Sequence, residues 1–99
     1  MIKFPIQAQK FLGDKITVDK NIKIVPSRDG KPGYTRYLAT SKKHPEGFEI
    51  RVEGGNAAKP TRRQEVLLTG VKLAQVRNRT PKGKYAYEYV IYADSLKLA

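Results

Sequence analysis

The chain has 99 residues and no cysteine, and its 20 Lys and Arg against 9 Asp and Glu give a formal net charge of +11. This length predicts one domain, residues 1–99, and the lack of cysteine excludes disulfides and thiol chemistry. The charge exceeds what a small domain needs for solubility, so it predicts a polyanionic partner. With no apolar signal core, no long apolar run and no basic amphipathic helix, we expect a cytoplasmic protein that binds nucleic acid and no membrane.

Alternating apolar residues predict β-strands in the first half of the chain. Residues 16–24 alternate as one half-buried strand that is bent near residues 19–21. Residues 26–33 contain Pro, Asp-Gly and Pro-Gly, so they predict a turn or loop. A second strand is expected at Tyr34–Thr40, with Phe48–Glu53 as its hairpin partner.

The second half contains a change of phase at Gly70. Val66 and Leu68 share one parity of the chain, whereas Val71 and Leu73 share the other. A glycine within a strand often marks a bulge or a sharp bend, so one long strand can serve two sides of a curved sheet. A last strand follows at Tyr85–Ala93, and residues 96–98 are expected to form a final turn.

Five short strands with strong curvature and no useful helix predict an all-β fold, a small five-stranded antiparallel OB-like barrel. An SH3-like barrel and an open sheet in a swapped homodimer are the alternatives. In an OB barrel, nucleic acid crosses the face of the second and third strands, between the loop joining strands one and two and the loop joining strands four and five. These loops would be residues 26–33 and 77–84.

Cations and tyrosines lie side by side at residues 77–92. Lys and Arg attract phosphates, and tyrosine rings offer faces on which unpaired bases stack, so the segment predicts a surface for single-stranded nucleic acid. The same composition is also typical of a solvated hairpin tip. The candidate binding residues are Arg28, Lys31, Tyr34, Arg36, Lys59, Arg62, Arg63, Arg77, Arg79, Lys82, Lys84, Tyr85 and Tyr87.

Strand parity leaves the roles of individual aromatic residues open. Tyr85, Tyr87 and Tyr89 share a face with an apolar isoleucine, so Tyr89 is expected in the core and the other two at the rim beside the basic segment. On the second strand, Tyr34 and Arg36 favour their face as the binding face, whereas Leu38 on that face favours the core.

Catalytic residues are scarce. The single histidine, His44, precedes a proline in a lysine-rich turn and is expected to be an exposed loop residue rather than a general base. No zinc ligand set, Asp-x-Asp pair or phosphate-binding glycine motif is present, so we expect no metal, no cofactor and no enzymatic activity.

Four segments carry a resemblance to a known family: Ile2-Lys-Phe4, Lys10-Phe-Leu-Gly13, Gly47-Phe-Glu-Ile-Arg-Val52 and Tyr89-Val-Ile-Tyr-Ala-Asp94. They resemble a small family of conjugative-element proteins of Gram-positive bacteria, long described as a domain of unknown function. The resemblance spans most of the chain. It implies an OB-like fold and the role of a helicase processivity factor, a single-strand binder that assists replication or transfer of a mobile element.

The chain also resembles, more weakly, the single-strand binding proteins of filamentous phages, which are short, basic, tyrosine-bearing OB barrels that act as dimers. Three functions follow from the sequence. The first is a non-catalytic, sequence-tolerant binder of single-stranded DNA, working with a helicase. The second is an RNA-binding protein, and the third is a protein-interaction module that recruits a helicase or relaxase.

Overall fold

The structure of the protein, a computed structural model, describes residues 3–13, 15–79, 83 and 85–99, and for residues 4, 8, 9, 76–79 and 85–88 it describes the backbone alone. These residues form nine strands and one five-residue helix, so the prediction of an all-β fold is confirmed. The elements are β1 (Lys3–Pro5), α1 (Ala8–Leu12), β2 (Ile16–Val18), β3 (Lys23–Val25), β4 (Tyr34–Thr40), β5 (Phe48–Glu53), β6 (Gln64–Thr69), β7 (Lys72–Arg79), β8 (Tyr85–Ala93) and β9 (Ser95–Leu98).

All the strands belong to one sheet with the order β1-β7-β8-β5-β4-β2-β6-β9, and β3 pairs with β4 beside this path. The order has two ends, β1 and β9, so these pairings describe an open sheet and do not confirm the expected five-stranded barrel. Every pairing is antiparallel except that of β5 with β8, in which Ile50 lies opposite Ile91. The expected final turn at residues 96–98 is instead strand β9, which pairs with β6.

The strand count exceeds five partly because two of the expected strands are divided by bends. The expected strand at residues 16–24 forms two strands, β2 and β3. They are separated at residues 19–22, where the bend was predicted. The other divided strand is β6 and β7, separated at Gly70, which has a φ of +61°. Because β6 pairs with β2 and β7 pairs with β8, the chain on the two sides of Gly70 serves opposite parts of the sheet. The predicted change of phase is confirmed, since Val66 and Val71 are both buried.

The core fills the inner side of the curved sheet. Alternation buries Thr35, Tyr37 and Ala39 of β4, and it buries Ile50 and Val52 of β5. Side chains from distant parts of the chain close this core, among them Leu12, Val18 and Leu96. A separate small cluster of Ala74, Val90 and Tyr92 lies on β7 and β8.

Among the side chains that the structure describes, Tyr37 is the largest that is fully buried. Its hydroxyl donates a hydrogen bond to the backbone carbonyl of Ala58, so the one polar atom of this ring is satisfied. Burial raises the pKa of Tyr37 to about 12. The loop that contains Ala58 is thereby attached to the centre of the core.

The predicted turn at residues 26–33 is confirmed as a tight hairpin tip. Arg28 and Lys31 exchange backbone hydrogen bonds of 3.1 and 2.9 Å, and the two residues between them, Asp29 and Gly30, have φ angles of +52° and +75°. Positive φ at both central positions matches the right-handed twist of the flanking chain, and Asp-Gly is among the sequences that adopt it most readily. The tip places Lys31 next to the start of β4.

Candidate nucleic-acid interface

The outer face of β4, β5 and β8 carries a row of cationic and aromatic side chains. Because Thr35 and Tyr37 point into the core, Tyr34, Arg36 and Leu38 lie on the opposite face of β4. The register then places Arg36 opposite Arg51, and Arg51 opposite Tyr92. The row therefore crosses three strands that are distant in sequence.

Arg51 is the centre of this row. Its guanidinium carbon lies 4.7 Å from the ring centroid of Tyr34 and 5.9 Å from that of Tyr92. Its Nη1 donates to the Tyr92 hydroxyl at 3.2 Å, and its Nε donates to Glu49. Burial by itself lowers the pKa of Arg51, but the contacts with Tyr92 and Glu49 outweigh it and leave this pKa raised. Arg51 therefore holds the two rings and Glu49 in fixed positions.

Two acidic side chains of this face, Glu49 and Glu53, are engaged by cations. Glu49 accepts hydrogen bonds from both Arg36 and Arg51, and Glu53 is paired with Lys3. The ammonium of Lys3 also lies 4.1 Å from the ring centroid of Tyr92. Because one carboxylate is shared between two guanidinium groups, the row keeps a positive charge.

Two clefts follow this row and both are lined by Arg51. One, of about 850 Å³, runs past Arg36, Leu38 and Tyr89. The other, of about 490 Å³, is bounded by Lys3, Lys31, Tyr34 and Tyr92. We call the pair of clefts joined at Arg51 the outer groove. It combines cations suited to phosphates with ring and aliphatic surfaces suited to bases.

The outer groove gathers some of the sequence-predicted site residues. Lys31, Tyr34 and Arg36 line it. Arg63 reaches its rim, because its Nη2 donates to the hydroxyl of Thr40 at 2.8 Å and Thr40 lines the larger cleft. Tyr34 and Arg36 share the outer face of β4 with Leu38, which is 51% exposed, so this face is not part of the core.

Other predicted residues lie apart from the groove or outside the described side chains. Arg28, Lys59 and Arg62 are exposed and line neither cleft. The backbone ladder places Arg77 opposite Tyr87 and Arg79 opposite Tyr85. The side chains of these four residues lie outside the described part of the structure, as do Lys82 and Lys84.

Tyr89 was expected in the core, and this prediction is wrong because the side chain is 65% exposed. Ile50 pairs with Ile91, so Tyr89 lies level with Phe48, the first residue of β5. The pairing of β5 with β8 begins only at Ile91, so Tyr89 lies before the first pair of this ladder. Tyr89 lines the larger cleft as a result.

His44 lies in the predicted turn but is only partly exposed. Its ring is half-buried, stacks on Phe11 with centroids 5.5 Å apart, and meets the ring of Phe48 edge-on at 5.8 Å. Its Nε2 lies 2.8 Å from the backbone carbonyl of Phe11 and therefore donates to it. His44 thus joins α1 to the β4–β5 turn.

Sequence reasoning missed Arg51, Tyr92 and Leu38 as parts of the site. The alternation of Phe48, Ile50 and Val52 already places the glutamates and Arg51 on the outer side of β5, so the hairpin register would have found Arg51. The partnership with Tyr92 depends on a parallel pairing between residues 41 positions apart, which no local pattern indicates.

Within the residues that the structure describes, no group of three or more His, Asp or Glu side chains is placed to hold a metal ion. In the same part of the chain, no helix has the length and apolar character needed to cross a membrane. Comparisons with protein-family models, with curated proteins and with solved structures found no match to this chain.

Proposed function

We propose that the protein is a non-catalytic, sequence-tolerant binder of single-stranded DNA that uses the outer groove. The observation that carries the proposal is the Tyr34, Arg51 and Tyr92 row, which joins two clefts on one sheet face. Phosphates would contact Arg36 and Lys31, whose side chains reach the groove from two sides. Bases would contact Leu38 and Tyr89, which are exposed along it.

The fold that suits this function is a strongly curved, OB-like barrel. Three features support it: the parallel pairing of β5 with β8, the antiparallel hairpin of β4 with β5, and the continuity of β6 with β7 through Gly70. In such a barrel the ligand-binding face is the one formed by the second and third strands, which correspond to β4 and β5 here. The outer groove lies on that face.

The proposal extends to a role in replication or transfer of a mobile element, beside a helicase. This part rests on the resemblance of the four sequence segments to the conjugative-element family. A helicase accessory needs a binding surface that tolerates any sequence. The cation and ring contacts of the outer groove provide such a surface, and this is the support that the groove gives to the role.

The test is fluorescence anisotropy with labelled oligo-dT, duplex DNA and single-stranded RNA of equal length, each at several salt concentrations. We expect oligo-dT to bind most tightly and its affinity to fall with salt, because phosphate contacts release counterions. A preference for the duplex, or no binding at low salt, would contradict the proposal. Tightest binding to RNA would favour the RNA-binding alternative.

Absence of catalysis is tested separately. Incubation of the protein with single-stranded DNA and Mg²⁺ or Mn²⁺ should leave the DNA uncut on a denaturing gel. Metal-dependent nicking that a single Asp or Glu substitution abolishes would overturn the non-catalytic assignment.

A further inference from the structure

A further cavity, of about 270 Å³, lies where α1 and the β4–β5 turn meet β8. Its floor is the core, since Leu12 is 1% and Ile91 is 3% exposed. Its walls are the rings of Phe11, Phe48 and Tyr89, with His44 and Glu46 at the edge. We call this cavity the end pocket.

Two of these rings are left open to solvent. Phe11 is 40% exposed and Tyr89 is 65% exposed, and both border the end pocket. Phe11 stacks on His44, and the His44 ring also makes a T-shaped contact with Phe48. An open cavity with fixed aromatic walls suits a flat, apolar ligand.

Size and continuity identify the ligand. Pockets for drug-sized molecules begin at roughly 300 Å³, so the end pocket suits a smaller planar group, such as one nucleobase. Glu46, Gly47, Phe48 and Tyr89 line both the end pocket and the outer groove. A base turned out of a strand that lies in the groove can therefore enter the pocket past Tyr89.

The polar edge indicates which base fits best. A hydrogen bond from its own backbone lowers the pKa of Glu46, so its carboxylate is ionised at neutral pH and only accepts hydrogen bonds. Guanine presents two adjacent donors, N1–H and the N2 amino group, to such a carboxylate. Thymine and cytosine each set a single donor group beside acceptors, which a carboxylate repels.

We propose that the end pocket binds one unpaired base, guanine in preference to thymine, of the single strand held in the outer groove. The proposal rests on the proposed single-strand binding. It adds one base-selective subsite to an outer groove that otherwise tolerates any sequence. Tyr89 and Phe11 provide the stacking surfaces, and Glu46 accepts from the Watson–Crick edge.

The test compares oligo-dT with the same oligonucleotide carrying one central dG, by anisotropy at fixed salt. We expect the dG oligonucleotide to bind wild type about fivefold more tightly, because guanine donates hydrogen bonds to the Glu46 carboxylate that thymine does not make, and one such bond changes affinity roughly severalfold. Glu46→Gln should remove this difference. Glu65→Gln is the matched control: it removes the same charge at an exposed position of β6 that lines neither the groove nor the pocket, and should keep the difference.

Tyr89→Leu should also remove the difference, and circular dichroism checks its fold. Titration of wild type with dGMP and dTMP, followed by the NMR signals of the Phe11 and Tyr89 rings, tests the pocket without the groove; larger shifts with dGMP are expected. If oligo-dT binds but the dG gain is absent, or survives Glu46→Gln and Tyr89→Leu, the pocket proposal is overturned and single-strand binding stands. If no oligonucleotide binds but dGMP shifts these rings, the pocket proposal stands and the proposed function fails.

Discussion

Arg51 of β5 and Tyr92 of β8 lie opposite each other on the parallel pair of strands, and Nη1 of Arg51 donates to the Tyr92 hydroxyl at 3.2 Å. The Tyr92 side chain is almost fully buried, so it supports the guanidinium and offers no free ring to a base. Arg51 in turn lies against Tyr34, the half-buried ring at the Lys31 end of the outer groove. The shape of the groove thus depends on this contact.

Arg51→Ala should lower the free energy of unfolding by about 1–2 kcal/mol, because the two ring contacts and two hydrogen bonds are lost from a mostly buried site. Urea denaturation measures the change. Arg62→Ala, at an exposed position, is the control and should change stability by less than about 0.5 kcal/mol. Equal stability of the two variants would show that Arg51 does not organise the groove.

The cations of the outer groove should contribute to the salt dependence of binding. The double variant Lys31→Gln, Arg36→Gln should make the slope of log affinity for oligo-dT against log salt concentration less negative by about 1.4. Each of the two lost phosphate contacts contributes roughly 0.7 to that slope. Lys20→Gln with Lys97→Gln removes the same charge at exposed positions that line neither cleft, and should leave the slope within error. If both double variants change the slope equally, binding follows net charge and not the groove.

The basic segment at residues 77–84 gives a separate prediction about salt. If Arg77, Arg79, Lys82 and Lys84 each neutralise one phosphate, they supply a slope of about −3, at roughly −0.7 per contact. Replacing all four by Ala should remove this contribution to the salt slope without unfolding the protein. A folded variant with unchanged affinity and slope would restrict the footprint to the outer groove and the neighbouring cations.

Gly70→Ala should lower the free energy of unfolding by at least about 2 kcal/mol. The residue has a φ of +61°, and a Cβ there would lie 2.9 Å from the Cβ of Asp94 and closer still to its carboxylate. Gly54→Ala is the matched control, because its φ is +86° but no atom lies within 4 Å of the added Cβ. It should cost only about 1 kcal/mol, the strain of the left-handed conformation. Thermal or urea unfolding distinguishes the two, and equal costs would mean that the bend tolerates a side chain.

Alkaline pH should destabilise the protein through Tyr37. Burial raises its pKa to about 12 in the folded state, against about 10 in the unfolded chain. The neutral phenol is therefore favoured by folding, so its contribution is fully present below about pH 10 and is lost as the pH rises towards 12. The total loss is on the order of 2–3 kcal/mol.

Tyr37→Phe isolates this effect. It should cost about 1 kcal/mol at pH 8, since the carbonyl of Ala58 loses its hydrogen bond, but its stability should fall less steeply above pH 10. Tyr34→Phe, which removes a half-buried phenol, should keep the wild-type decline. Parallel pH profiles of Tyr37→Phe and wild type would contradict the assignment.

The faces of the strands were predictable because alternation is a local property. The bounds of Tyr34–Thr40 and Tyr85–Ala93 were read from the sequence. The bend at Gly70 was read from it too, because the change of parity coincides with a glycine, the residue type that adopts a positive φ without strain. Lys31, Tyr34 and Arg36 were found for the same reason. Their position depends on a turn and on parity alone.

Local sequence sets most of the inward faces, the positions of the bends and the strongly positive charge. The tertiary structure sets how far the core extends along each strand: Tyr89 and Ile91 share a parity, but the pairing of β8 with β5 begins only at Ile91. It also decided that Arg51 meets Tyr92 and that His44 packs between Phe11 and Phe48. These contacts join residues up to 41 positions apart, and the side-chain period of one strand carries no information about the length or register of its partner.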